Sequence, residues 1–100
     1  MSSTQVLIQE SNKVGVKLMA GEEAEAVAAV IARTYPEAEI EHHPSYISIE
    51  RPHQLAFDIP LISEELGRPY DAPTFLVILS SYNGRINVED ERITISTELA

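Results

Sequence analysis

The spacing of apolar residues predicts a strand followed by a helix in the first third of the chain. Apolar and polar positions alternate from Val14 to Met19, which is typical of a strand with one buried face. After Glu22 the apolar residues recur at helical spacing; they are Ala24, Val27, Ala28, Ile31 and Tyr35. Glutamates occupy the first turn, where the helix dipole favours negative charge, and Pro36 ends the predicted helix.

Two strands and a bend are predicted in the middle of the chain. Residues 39–43 and 46–51 are expected to pair around a Pro44-Ser45 turn, with Ile40, Ile47 and Ile49 facing inward. Proline cannot donate to a strand ladder, so Pro52 bends or ends the second strand. Residues 55–59 are predicted to continue it after the bend.

The stretch EELGRPYD, residues 64–71, marks the end of a second, short helix. Pro60 is a favourable first residue for it, and Ile62 and Leu66 would share its buried side. Gly67 can adopt the left-handed conformation that ends a helix, and Pro69 prevents continuation.

The last third of the chain is predicted to be strands. Leu76 to Leu79 has no polar residue and is expected to be a central strand, and Asn83-Gly84 favours a type I′ hairpin. A second, acidic turn at residues 89–91 precedes a last strand, residues 93–97. The predicted fold is α+β: two helices on a mostly antiparallel sheet, ordered β-α-β-β and then α-β-β-β. It forms one domain, residues 1–100, in which residues 1–13 are expected to be flexible.

The composition argues against several classes of protein. No run of eighteen apolar residues occurs, and the first residues do not have the pattern of a secretory signal, so we expect no membrane partner and a cytoplasmic location. The absence of cysteine excludes disulfides and thiolate metal sites. A net charge of -9 opposes nucleic acid binding and favours a protein partner with a basic face.

Two Glu-x-x-His patterns are the strongest candidates for metal ligands. They are Glu39 with His42 and Glu50 with His53. Residues three apart share a face in a helix but not in a strand, and both patterns fall in predicted strands, so no metal site is predicted. His42 and His43 are expected to place one ring against the sheet and one in water. A metal-dependent enzyme that uses these histidines is kept as a minor alternative.

No catalytic or cofactor-binding residue is predicted. The serines lack a Gly-x-Ser-x-Gly turn, and the four glycines form no phosphate-binding loop. Glu64 and Glu65 are neighbours on a helix, so their side chains diverge and cannot act on one substrate atom. Arg68 is expected to pair with one of them.

The candidate binding surface is the stretch of residues 80–85. It combines an aromatic residue, a cation and a predicted rigid turn, which are features of binding hot spots; its proposed contact residues are Ser80, Ser81, Tyr82, Asn83 and Arg85. An ordinary solvated hairpin is an equally simple interpretation of the same residues.

Four short motifs, in order along most of the chain, resemble one family. They are Asn12-Lys13-Val14-Gly15 with Ala20-Gly21-Glu22, residues 42–50, Leu66-Gly67-Arg68-Pro69-Tyr70-Asp71, and residues 77–99. The chain is similar to the coupling, or effector, proteins of soluble bacterial multicomponent di-iron monooxygenases, which serve methane, phenol, toluene and alkene hydroxylation.

The resemblance implies a cofactor-free regulatory protein that is not an enzyme. It would bind the di-iron hydroxylase, whose own subunit holds the iron, and tune active-site geometry, access and the coupling of electron transfer to oxygen activation. A ferredoxin or reductase component could compete for the same partner. Tyr82 is bulkier than the matching residue of the methane proteins, so toluene, phenol, alkene or short alkane systems remain open. The alternative is a small acidic α+β adaptor for an unrelated protein or small ligand.

Overall fold

Seven strands and three helices make up the part of the chain that the computed structural model describes, residues 12–97. The strands are β1 (Lys13–Met19), β2 (Glu39–His42), β3 (Tyr46–Pro52), β4 (Gln54–Asp58), β5 (Leu79–Asn83), β6 (Arg85–Val88) and β7 (Arg92–Ser96), and the helices are α1 (Glu22–Thr34), α2 (Ile59–Leu66) and α3 (Ala72–Ile78). The predicted α+β class is therefore confirmed. Of the segment predicted to be flexible, residues 1–11 lie outside the described residues, and Lys13 already belongs to β1.

The strands form two antiparallel sheets rather than the single sheet that was predicted. The first sheet has the order β2-β3-β1-β5, and the second has the order β4-β7-β6. In the first sheet β1 pairs with β3 along its whole length, from Lys13 opposite Pro52 to Met19 opposite Tyr46. This leaves β5 at one edge of that sheet, with β1 as its neighbour.

The core lies between the two sheets and the helices. From the first sheet it receives alternate residues of β1 and β3, and from the second sheet it receives Leu55, Phe57, Ile93 and Ile95. The ring of Phe75 on α3 packs against Phe57, with the ring centroids 5.0 Å apart. Burial of these apolar side chains joins the two sheets into one hydrophobic core.

The chain crosses between the sheets at two residues with positive φ. His53, between β3 and β4, has φ 71°, and Gly84, between β5 and β6, has φ 123°. The predicted Asn83-Gly84 hairpin is wrong, because β5 and β6 pair with different strands in different sheets. Gly84 is needed for a crossover instead: a Cβ there would lie 2.7 Å from the backbone oxygen of Ser96.

The first two helices end as the sequence predicts. Helix α1 spans Glu22–Thr34, and its apolar face is buried. Helix α2 begins after Asp58, whose side chain accepts a hydrogen bond from the Leu61 N–H at 3.1 Å. It ends at Gly67 in the left-handed conformation, with the N–H groups of Gly67 and Arg68 donating to the carbonyl of Ser63.

The third helix replaces a predicted strand. Residues 72–78 are helical, so the prediction of a central strand at Leu76 to Leu79 and of only two helices is wrong. The side chain of Asp71 accepts a hydrogen bond from the Thr74 N–H at 2.9 Å, which caps the helix. Ala72, Phe75 and Ile78 are buried at spacings of three residues, which suits one face of a helix.

The remaining turns agree with the sequence analysis. The strands β2 and β3 pair around Pro44-Ser45, and the acidic turn at residues 89–91 joins β6 to β7.

No helix within residues 12–97 is long and apolar enough to cross a membrane.

Candidate functional site

The structure places four of the five predicted contact residues along one edge of the first sheet and the fifth, Arg85, at the start of a strand of the second sheet. Ser80, Ser81, Tyr82 and Asn83 lie on β5 and are exposed, and Arg85 begins β6 on the other side of the Gly84 crossover. They therefore lie on an exposed sheet edge and the adjoining crossover, and the expectation of a hairpin tip is not met.

Two of the five predicted residues use their side chains to fasten β5 to β1. The Ser80 hydroxyl donates to the backbone oxygen of Lys17 at 2.9 Å, and the Asn83 amide donates to the backbone oxygen of Lys13 at 3.1 Å. Tyr82, by contrast, has 45% of its surface exposed. These contacts separate residues that hold the strand from a residue that presents a large side chain to solvent.

An irregularity in the β1–β5 ladder lies at the same place. Ser81 pairs with Lys17 and Leu79 pairs with Leu18, so Ser80 is an extra residue in β5. Such a bulge bends its strand and redirects the side chains beside it. It places a local change of strand direction directly before Ser81 and Tyr82.

The sequence analysis missed the apolar part of this surface. Three large apolar side chains near β5 are exposed: Leu76 (37%) and Val77 (72%) on α3, and Met19 (47%) at the end of β1. From Ala72 to Gly84 the chain has no charged residue, although 23% of the whole chain is charged. Depletion of charge with exposed apolar and aromatic residues is characteristic of the centre of a protein interface. We call Met19, Leu76 and Val77, with Ser81 and Tyr82 on the two opposite faces of the edge strand β5, the uncharged surface.

A cleft of about 500 Å³ lies beside the uncharged surface. Residues from the start of α1, from the α2–α3 connection and from α3 line it, among them Gly21, Arg68 and Thr74, together with Met19 and Val77. The cleft therefore joins the apolar end of the uncharged surface to a charged region.

The charged region is built on the first turn of α1. Arg68 Nη1 donates to Glu22 Oε2 at 3.2 Å, and the Tyr70 hydroxyl donates to Glu23 Oε1 at 3.3 Å. The expected pairing of Arg68 with Glu64 or Glu65 is therefore wrong. Desolvation by burial, with Glu23 close by, raises the pKa of Tyr70 above that of a solvated tyrosine. These contacts fix the α2–α3 connection against α1.

His42 and His43 each pair with a different glutamate and do not form a cluster of metal ligands. His42 Nε2 lies 3.3 Å from Glu25 Oε1, and His43 Nε2 lies 3.3 Å from Glu41 Oε1. His42 is exposed, and His43 stacks on Tyr46 with the ring centroids 4.4 Å apart, which agrees with the expected division between water and sheet.

The Glu-x-x-His patterns lie on strands, as predicted. Glu39 and His42 are on β2, and Glu50 is on β3, followed by His53 at the crossover. Glu39 is paired with Lys13, with the ionic groups 3.6 Å apart. Within residues 12–97, no group of three or more His, Cys, Asp or Glu side chains is arranged to hold a metal ion.

The fold and the family comparison agree. The small α+β fold of two sheets defines a class to which the solved regulatory protein B of soluble methane monooxygenase belongs. The model of the MmoB/DmpM family matches residues 12–96, and the chain belongs to that family.

Individual relatives are similar over most of their length. The chain is 28% identical over 85 residues to the stimulatory component DmpM of phenol 2-monooxygenase from Pseudomonas sp. (strain CF600), covering 85% of this chain and 94% of that protein. It is similar to a chain in a phenol hydroxylase–regulatory protein complex, with a TM-score of 0.77 and 22% identity over 86% of this chain and 99% of that one. It is also similar to the regulatory protein B of soluble methane monooxygenase, with a TM-score of 0.68 and 29% identity over 88% of this chain and 67% of that one.

Proposed function

We propose that this chain is a regulatory component that binds the di-iron hydroxylase of a bacterial multicomponent monooxygenase and is not itself catalytic. The observation that best supports this is membership of the MmoB/DmpM family across residues 12–96, joined to similarity with a stimulatory component over 94% of that protein's length. The chain would act in the cytoplasm and without a cofactor, and the iron would belong to the hydroxylase.

The hydroxylase would dock on the uncharged surface and on the adjoining residues around the Gly84 crossover, as far as Arg85. Ser80, Ser81, Tyr82, Asn83 and Arg85 are the contact residues that we propose. Tyr82 supports this choice because a half-exposed aromatic ring on an edge strand offers a large rigid contact area at low entropic cost. The acidic remainder of the chain would steer it toward a basic face of the hydroxylase.

Regulation would follow from a difference in affinity. A regulatory protein that binds one conformation of the hydroxylase more tightly than another shifts their populations by that difference and no more. A difference of about 1 to 3 kcal/mol changes the populations roughly five- to a hundredfold. A change of this size in the conformation that reacts with oxygen is enough to alter turnover and the fraction of electrons that reach product.

Reconstitution with a purified hydroxylase and its electron-transfer proteins tests the function. Adding the chain should raise the amount of product per electron consumed, because coupling is what a regulatory component changes. An unchanged product yield at saturating concentrations of the chain would refute the proposal, as would hydroxylation by the chain alone.

Single substitutions test the surface separately from the function. Tyr82→Ala and Arg85→Ala should fold normally but weaken stimulation. Val88→Ala is the matched control, because Val88 is 47% exposed, close to the 45% of Tyr82, and lies outside the uncharged surface. Equal stimulation by all three variants would exclude the proposed contact residues and leave the function standing.

A further inference from the structure

The second half of α3 has a sequence that favours a strand. Val77 and Ile78 are β-branched, and such residues lose side-chain freedom in a helix but suit a strand. The first half is firmly held, because Asp71 caps it and Phe75 is fully buried. Val77, in contrast, is 72% exposed, and the helix passes directly into β5 at the extended residue Leu79. The helix is thus held by its cap and by Phe75 in its first half, and by the burial of Ile78 at its end.

The neighbouring strand has the geometry to accept a longer β5. The β1–β5 ladder ends with Leu18 opposite Leu79, whereas β1 itself continues to Met19. The Ala20 N–H donates to the Ser45 oxygen at 3.1 Å on the β3 side. Successive residues of a strand direct their backbone groups to opposite edges, so the N–H and C=O of Met19 point to the β5 side. An extended Ile78 would lie opposite Met19.

The two conformations would bury similar apolar groups. In the helix Ile78 is 8% exposed and Val77 is outside. Leu79 pairs with the buried Leu18, so in an extended strand the next residue, Ile78, would point outward and Val77 would point inward. One β-branched side chain would replace the other in the interior, and the cost of losing the buried isoleucine would be largely offset.

We propose that docking converts residues 76–78 from the last turn of α3 into an extension of β5. This rests on the docking function proposed above and assigns it a conformational step. In the extended form Ile78 would join Met19 on the outer face of the first sheet. A hydroxylase that contacts Ile78 beside Met19 on this face binds the extended form more tightly and so selects it. Residues 72–75 stay helical, because the Asp71 cap on the Thr74 N–H lies outside the converted residues.

Backbone chemical shifts measure the conversion directly. The full chain, labelled with 13C and deuterium, should give helical 13Cα and 13Cβ shifts at residues 72–78 when free. On addition of unlabelled hydroxylase, residues 76–78 should change to strand-like shifts while residues 72–75 remain helical. Helical shifts at residues 76–78 in the saturated complex would overturn the proposal.

Two isomeric side chains provide an independent test. Val77→Ile keeps β-branching and Val77→Leu favours the helix, although both add the same single carbon. We expect the Leu variant to bind the hydroxylase about threefold more weakly than the Ile variant, because the two propensity scales both oppose its conversion. Equal affinities, or tighter binding by the Leu variant, would contradict the conversion. Circular dichroism of both free variants checks that the fold is retained.

The two proposals fail in different ways. If the chain does not bind the hydroxylase at all, both the proposed function and the conversion are refuted. If it binds and stimulates while residues 76–78 stay helical, only the conversion is refuted.

Discussion

The guanidinium group of Arg51 lies over the ring of Tyr35, with its central carbon 4.0 Å from the ring centroid. The same group donates from Nε to Glu37 and from Nη1 to the backbone oxygen of Gln54, both at 2.6 Å. The Tyr35 hydroxyl accepts a hydrogen bond from the Ala56 N–H at 3.2 Å. This cluster ties the end of α1 to β4, the edge strand of the second sheet, and occupies backbone groups that would otherwise be open to another chain.

Replacing Arg51 should destabilise the fold measurably. Arg51→Ala removes the cation–π contact and the hydrogen bond to Gln54, and we expect a loss of about 1 to 2 kcal/mol in the free energy of unfolding. Arg33→Ala is the control: its ion pair with Glu65 is largely exposed, and such pairs contribute under about 1 kcal/mol. Urea unfolding of both variants makes the comparison. Similar losses in the free energy of unfolding would show that the Arg51 cluster stabilises the fold no more than an exposed ion pair does.

The Arg51 cluster should also make the free energy of unfolding depend on pH in the acidic range. A hydrogen bond from the backbone, followed by one from Arg51, holds the pKa of Glu37 below its usual value. A lowered folded-state pKa contributes stability that is present above the unfolded pKa of about 4.3 and is lost as the pH falls through the folded pKa. The advantage of the natural chain over Glu37→Gln in urea unfolding should therefore be larger at about pH 6 than at about pH 3. A constant difference would mean that Glu37 has the same pKa in both states.

Alanine at Gly84 should be far more damaging than alanine at Gly67. Both residues have positive φ, but a Cβ at Gly67 has no atom within 4 Å, whereas one at Gly84 would lie 2.7 Å from the Ser96 oxygen and 2.9 Å from Ile95. Gly67→Ala should cost about 1 kcal/mol from backbone strain alone. Gly84→Ala should cost about 2 kcal/mol more, since the backbone of β7 must move. Thermal unfolding of the pair isolates the effect of crowding, and equal losses would rule it out.

Tyr70 should ionise unusually late. Desolvation, followed by the nearby Glu23 carboxylate, raises its pKa above the ordinary value of about 10. The raised pKa contributes stability below the unfolded value that is lost as the pH rises through the folded value. Absorbance titration at alkaline pH should show that Tyr70→Phe removes a tyrosine that ionises above the ordinary pKa of about 10. Loss of an early-titrating tyrosine instead would contradict the contact with Glu23.

Asp71 should stabilise α3 as an acceptor rather than as a charge. Asp71→Ala removes the cap on the Thr74 N–H and should destabilise the fold more than Asp71→Asn, which keeps an acceptor. Urea unfolding provides the values. Equal losses in both variants would indicate that the negative charge matters more than the hydrogen bond.

Local sequence patterns were sufficient to predict the elements whose structure depends on residues close together in the chain. Helix α1 follows from its apolar spacing, and the end of α2 follows from Gly67 and Pro69. The β2–β3 turn follows in the same way from Pro44-Ser45. Each of these signals acts within a few residues, so distant contacts did not override them.

The errors arose where the deciding contacts lie far apart in the sequence. Leu76 to Leu79 fits a buried strand or a buried helix equally well, and the packing of Phe75 against Phe57 is a distant contact that favours the helix. The Asp71 cap on Thr74, in contrast, is a local signal that the sequence analysis missed. Of the predicted Asn83-Gly84 turn, Gly84 alone has positive φ, and no local rule states that the two flanking strands join different sheets. The partner of Arg68 is Glu22, which is 46 residues away, so neighbouring residues could not predict this contact.

The tight fit of Gly84 against Ser96 has a mechanical consequence for β5. One end of that strand packs closely against the second sheet. If β5 slid along β1, β7 would therefore have to move as well. Any adjustment in the length of β5 is therefore confined to the opposite end, where the strand joins α3.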